Sequence, residues 1–431
     1  MDKLRGMLTL AAFVAVVGGC WTGQSEPPGS PTRPTDSPTV SPAALPSITA
    51  SATPGADWVA VELPASATDA PPRGLMEAVA AGDLGLAAVG STVCSPDDEP
   101  TDCHVSIWTR TGSDAWARTD DQPALRVAEG GYPHDPPGLF DVTSGPAGVV
   151  AIGHPADPAI NGAWQSLDGR TWTRSPFDFG AANLTAIAGG PFGYVVVGWV
   201  HRGLAARAAA WFSSDGLTWK RARDSAAMDV GGCIATLERP GCGGMQAVAA
   251  AATGFVAVGE VRSKEGRTGH PAAWTSTDGL SWTRADAGLG FDGRLSGIAA
   301  GSPGVVAVGT RCRSDCVDLP HDGLIATSAD GSTWDLYTLP TTAELSGVAG
   351  AGRLTVALGE VANADGSGTW LEIWVSEDGL VWRPMPGPPP IPETADVRAV
   401  DLVVAPDGAV TIVGWVQTTD ERFQNFSFTR S

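Results

Sequence analysis

A nine-residue frame, Trp-x-Ser-x-Asp-Gly-x-x-Trp, constrains this chain more than any other feature. It is written in full at residues 164–172, 211–219, 274–282 and 374–382, and again at 326–334 with Ala326 in place of the first tryptophan. A degenerate copy, "WTRTGSDAW", begins at Trp108 and carries Gly112 at the aspartate position. Ser at the first position of a turn, Asp at the third and Gly at the fourth suit a tight turn that ends in a left-handed glycine. Each frame therefore reads as a hairpin. In that register Trp274 stands opposite Trp282, and likewise Trp164 with Trp172, Trp211 with Trp219 and Trp374 with Trp382. The paired indoles then pack on a neighbouring unit.

The hairpin closes a longer unit. A short strand such as "LTAIAGG" is followed by a turn, a second strand such as "GYVVVG", a variable loop, and then the frame. The second strand ends in a glycine at 90, 153, 198, 259, 309, 359 and 414, a period of about 54 residues that marks a propeller or a solenoid. Composition agrees with an all-β chain, since Gly (55), Pro (34) and Trp (16) are plentiful and only 17% of residues are charged.

The two ends decide between ring and solenoid. The seventh repeat stops at "FQNFSFTRS", after its third strand, while the folded region opens with "DWVAVELP", a fourth strand with Trp58 in the position of the frame's second tryptophan. A solenoid needs caps, whereas a ring removes its open edge by pairing these fragments. The expected fold is all-β: a seven-bladed β-propeller of four-stranded blades spanning residues 57–431, its last blade closed by the N-terminal strand. Small residues on the inner strands, Ala78, Ala186, Ala247, Gly297, Gly347 and Ala399, fit strands converging on an axis, and Asp141 is the exception.

The frames resemble the Asp-box, or bacterial neuraminidase repeat, of sialidase-like propellers. They depart from it by one residue, because here the glycine follows the aspartate directly. The resemblance implies that the box turns lie away from the functional face, so Asp168, Asp215, Asp278, Asp330 and Asp378 are expected to hold turns rather than act as acids. It also implies, for a sialidase, an Arg-Ile-Pro motif, three carboxylate-binding arginines and a tyrosine nucleophile paired with Glu. No Arg-Ile-Pro occurs, and Tyr132, Tyr194 and Tyr337 fall in a loop, a second strand and an outer strand.

The first twenty residues read as a secretory signal, with Lys3 and Arg5 ahead of a short apolar core. "Val17-Gly18-Gly19-Cys20" resembles the lipobox of bacterial lipoproteins, which implies lipidation of Cys20; an ordinary signal peptide with a chance cysteine is the alternative. Residues 21–56 are rich in Pro, Ser and Thr and read as an extended tether. The expected location is the extracytoplasmic face of the cell membrane, held by a lipid anchor. The other six cysteines fall as near neighbours, Cys94 with Cys103, Cys233 with Cys242 and Cys312 with Cys316, and read as three local disulfides, with free thiols or a metal cluster as the rival. The acidic loop carrying Asp97, Asp98, Glu99 and Asp102 is the one place where Ca²⁺ is considered, against a solvated acidic turn. No other cofactor is expected.

A formal net charge of −20 argues against nucleic acid, which requires a basic face. Propeller ligands meet the loops at the end away from the box turns. The residues after each marker glycine, Ser91, His154, Trp199, Glu260, Thr310, Glu360 and Trp415, are expected to encircle the channel mouth, with His201, Arg202, Arg262 and Arg311 nearby. Carboxylates, arginines and indoles there suit a carbohydrate or another polar ligand; the alternative is a solvated rim in which Glu260 simply pairs with Arg262. A glycosidase needs two carboxyl groups at a set separation, and Glu260 and Glu360 lie two blades apart. The leading expectation is a non-catalytic binding scaffold for an envelope protein or a glycan; the second is a glycoside hydrolase of sialidase-like architecture acting on extracellular glycans.

Overall fold

The computed structural model describes residues 57–431 except 64–74, 92–104, 113, 120–121, 126–137, 155–160, 204, 237–238, 264–268, 286–290, 313–320, 363–368, 389–395 and 418–422. The signal segment with Cys20, the tether, Cys94, Cys103, Cys316 and the acidic-loop residues Asp97, Asp98, Glu99 and Asp102 lie outside the described residues.

Seven antiparallel blades form a ring. The innermost strands, in blade order, are Leu75–Gly82, Gly138–Gly145, Ala182–Gly190, Gly244–Ala251, Gly293–Ala300, Glu344–Ala351 and Asp396–Val404. Each packs beside the next, and the last returns to the first. Blade four shows the pattern of the rest: Gly244–Ala251, Gly254–Arg262, Gly269–Ser276 and a short outer strand, Thr283–Ala285. The seventh blade takes its outer strand from the start of the folded chain, with Trp58 opposite Arg430, Val59 opposite Thr429 and Ala60 opposite Phe428. The expected closure is present.

Backbone geometry explains the marker glycine. Every inner strand bulges by one residue near its start, leaving Glu77, Phe140, Thr185, Gln246, Ser296, Ser346 and Val400 as the extra residue. The bulge drives an inner-strand carbonyl onto the glycine of the second strand: a Cβ on Gly198 would stand 2.0 Å from Asn183 O, and one on Gly259 2.0 Å from Gly244 O. No other residue fits there. The bulge also realigns the seventh inner strand, because Asp401, and not Ala399, occupies the position equivalent to Ala78 and Gly347. Asp141 is therefore one of two such exceptions.

The frames form aspartate-centred turns with the expected left-handed glycines, Gly169, Gly216, Gly279, Gly331 and Gly379 at φ of 70 to 77°. Asp278 Oδ1 accepts the N–H groups of Leu280 (2.8 Å) and Ser281 (2.7 Å), and Ser276 Oγ accepts that of Gly279 (2.8 Å). Equivalent bonds recur at Asp168, Asp215, Asp330 and Asp378. The Thr171 and Arg170 N–H groups hold the Asp168 carboxyl down to about 2, as hydrogen bonds to an ionised carboxylate do. Asp278→Ala is expected to cost about 1–2 kcal/mol, read as a lower urea midpoint at unchanged slope, with Asp278→Asn losing less because it keeps one acceptor oxygen.

The tryptophan register differs from the expectation. Trp274 is opposite Arg284, Trp164 opposite Arg174, Trp211 opposite Arg221 and Trp374 opposite Pro384. The aspartate-centred loop holds two more residues than a tight turn, so the second tryptophan remains within it. Its indole N–H folds back onto the turn: Trp282 Nε1 donates to Gly279 O at 3.0 Å, and Trp219 to Gly216 O at 3.1 Å. Both tryptophans of a frame still bury against the preceding blade, Trp164 and Trp172 with Val89 and Ile107 of the first, and Trp211 and Trp219 with Val150 and Ile152 of the second.

Cys233 and Cys242 form a disulfide. The long connection that carries them is a hairpin, Asp229–Thr236 and Arg239–Cys242, that extends the third blade by pairing with its Ala205–Ser213 strand. Cys312 is also disulfide-bonded.

Candidate functional site

Strand direction separates two faces. The turns between first and second strands and the box turns share one end; the loops between second and third strands, and those leading to the next blade, share the other. The first positions after the marker glycines all lie at this second, loop-bearing end, each in register with the beginning of an inner strand: Trp199 opposite Asn183, Glu260 opposite Gly244, Glu360 opposite Glu344 and Trp415 opposite Arg398.

Most of these groups are engaged. Arg262 holds both oxygens of Glu260, Nε to Oε1 at 2.9 Å and Nη2 to Oε2 at 3.2 Å. Burial raises the Glu260 carboxyl above its ordinary range against the opposing pull of Arg262. Glu360 Oε2 accepts from Arg398 Nη1 of the next blade at 3.0 Å. Arg202 pairs with Asp224 at 2.9 Å, Arg294 with Glu344, and the Arg311 guanidinium lies over the Phe291 ring at 5.3 Å. Trp199 is half-buried, packed on the core of blades three and four, and its ring meets the exposed His201 edge-on at 4.7 Å. Trp415 is also half-buried. His201 Nδ1 lies 3.9 Å from both sulfurs of the Cys233–Cys242 disulfide. Tyr194, fully buried, donates to Gly148 O and accepts from Ala147 N, so its hydroxyl ties down a turn of blade two.

Three carboxyl groups lie on the innermost strands of consecutive blades. Asp401 Oδ2 accepts the Val79 N–H of the first blade at 2.8 Å, and Asp141 Oδ2 accepts the Ile187 N–H of the third at 2.7 Å. Between them stands the bulged Glu77. Burial pushes Asp141 up to about 8, with the Asp401 charge adding to it, and pushes Asp401 and Glu77 up to about 7. Each aspartate thus latches its blade to the next.

Among the described residues, two clefts open on the loop-bearing face at similar places in their blades. One, of about 440 Å³, is lined by Asn161, Arg174 to Asp178 of blade two and its exit loop, and there Phe177 turns inward onto Phe179. The other, of about 370 Å³, lies between blades five and six and is lined by Asp322, Leu339, Pro340, Thr341, Thr342, Val361, Trp370 and Glu372. Trp370 is 50% exposed. Sequence reasoning passed over it because it lies four residues before a frame, where period-two alternation alone would have placed it on the same side as Trp374.

No protein-family profile matches the sequence, and no curated protein resembles it. Solved structures are similar to it at low identity. U3-55K is 10% identical over 88% of this chain and all (100%) of that one, with a TM-score of 0.50. A protein of unknown function from Dyadobacter fermentans is 10% identical over 87% and 98%, with a TM-score of 0.49. A Trypanosoma rangeli sialidase in complex with the inhibitor DANA is 12% identical over 68% of this chain and 54% of that chain, with a TM-score of 0.40. The class, a seven-bladed β-propeller, is defined by this chain's own strand order, and likeness at this level adds nothing finer.

Proposed function

We propose that this protein is a lipid-anchored, extracytoplasmic binding scaffold whose loop-bearing face takes up a protein or glycan of the envelope, and that its repeated turn is a shortened Asp-box. The observation that carries the non-catalytic reading is the state of the two rim carboxylates. Glu260 is gripped through both oxygens by Arg262, and Glu360 is bridged to Arg398. A glycosidase sets an acid and a nucleophile or base across an open gap, and neither rim glutamate stands free for that work.

Chain direction supports the orientation. Trp58 enters the outer strand opposite Arg430, at the end that bears the box turns. The chain thus enters the propeller at the end opposite the loops, which leaves the loop-bearing face unobstructed by the entering strand. Immobilised protein exposed to envelope extract is expected to retain a protein or an intact glycan and to release no new small saccharides. Release of fragments that stops with Glu260→Gln or Glu360→Gln would make the protein a glycoside hydrolase instead.

A further inference from the structure

Blade six breaks a rule that its neighbours keep. The strand position paired with the marker glycine holds Ala209 in blade three, Ala272 in blade four and Leu324 in blade five, all buried, but Glu372 in blade six. Two residues earlier those blades carry Arg207, His270 and Asp322, while blade six carries Trp370. No other blade carries a charged residue at the glycine-paired position, which holds Ser106, Gly162 and Phe426 in blades one, two and seven, and a carboxylate set there costs stability unless it is hydrogen-bonded. Local departures of this kind concentrate at functional sites.

The two departures share one side of one strand. Residues 370, 372 and 374 point the same way by alternation, and Trp374 at the third place packs on Val306, Val308 and Ile325 of blade five. Trp370 and Glu372 therefore face blade five, where the exit loop brings Leu339, Pro340, Thr341 and Thr342 to meet them. The Thr341 hydroxyl donates to Glu372 Oε2, which fixes the carboxylate and leaves it further lone pairs.

We propose that this cleft is a binding site for a neutral saccharide, with Trp370 as the platform for an apolar pyranose face and Glu372 accepting from sugar hydroxyls. The proposal deepens the binding reading above and rests on its glycan branch. Its volume, about 370 Å³, falls at the lower end of the range of small-molecule sites. Among the described residues no lysine or arginine lines it, and the Glu372 carboxylate does, so sialic and uronic acids are disfavoured beside it. Leu339 and Pro340 continue the apolar wall that a sugar's C–H face requires, which distinguishes the cleft from an aromatic cage for an ammonium group.

The test uses the full-length chain in a detergent without a sugar headgroup, with chitotriose, cellotriose, trigalacturonate and choline as probes in saturation-transfer NMR and calorimetry. At least one neutral trimer is expected to bind, trigalacturonate and choline far more weakly. Trp370→Ala is expected to weaken the neutral trimer about tenfold, and Trp370→Phe to retain most of the affinity. Glu372→Ala, the residue of blades three and four, is expected to keep or raise the melting temperature while losing trimer binding, which a merely structural glutamate would not do. Binding of no neutral trimer, equal binding by Trp370→Ala, or preference for trigalacturonate or choline would overturn the site. Envelope capture run on Trp370→Ala separates the two levels: a partner retained equally well by this variant sinks the cleft and leaves the scaffold, whereas hydrolysis of a bound trimer sinks the scaffold and leaves the cleft.

Discussion

A chain shortened to begin at residue 64 is expected to lose more than about 5 kcal/mol of stability, and Trp58→Ala about 3–5 kcal/mol. Trp58 is buried between the last two blades with Leu402, Ile412 and Phe428, and its indole N–H donates to Pro386 O at 2.8 Å. The residues after it reach the other way. Val61 N donates to Ser427 O and Glu62 O accepts from Trp116 N, while Val61 and Leu63 pack on Met76, Val79 and Trp108 of blade one. One short segment therefore joins the seventh blade to the sixth and to the first. Without it the Phe423–Arg430 strand also becomes an open edge, and open edges recruit other chains. The truncated protein should show a lower urea midpoint and concentration-dependent association, and a peptide of residues 57–63 added in excess should restore the midpoint. An unchanged midpoint after truncation would mean that the ring closes by some other contact.

The ring was legible because its signals are local. A marker glycine recurs where a bulge forces a carbonyl against the second strand, and the frame recurs where a carboxylate collects turn N–H groups; both requirements act within one blade and leave a fixed spacing. The opposed tryptophans were misplaced because a two-residue difference in loop length changes no residue type, only the register. Ala399 was aligned in place of Asp401 for a related reason: a bulge reverses alternation at one residue, and "VRAVDLVV" reads equally well in either phase. The site was least legible because its contacts join blades. Nothing in the spacing of Glu360 and Arg398, 38 residues apart, announces their ion pair, and Trp370 becomes unusual only when its equivalents, Arg207, His270 and Asp322, are set beside it.

The realigned aspartates carry the second large effect, a stability that falls as pH rises. Asp141 and Asp401 have an ordinary value of 3.8 and are held at about 8 and about 7 in the folded ring. Between those limits the folded state keeps a proton that the unfolded chain has released. The stability this contributes is complete below pH 3.8 and is lost as pH rises through 7 to 8, since the slope of unfolding free energy with pH follows protons bound by the unfolded minus the folded state. Each pH unit across which one such proton is held only by the folded chain corresponds to about 1.4 kcal/mol. Both residues are half-buried rather than fully enclosed, and solvent screening reduces the effect, so a loss on the order of 3 kcal/mol between about pH 4.5 and 8 is expected from the pair. Asp141→Asn gives up one of the two acceptors that bind Val142 and Ile187, and at about pH 5 it should be destabilised by about 1–3 kcal/mol. At about pH 8 the wild-type carboxyl is about half ionised in the folded ring and fully ionised in the unfolded chain, so the advantage of the retained proton is nearly spent and the difference should shrink by at least about 2 kcal/mol or change sign. Urea unfolding at the two pH values reads this directly. Equal losses at both would show that Asp141 is ionised throughout, leaving its two backbone hydrogen bonds as the whole of its contribution to the ring.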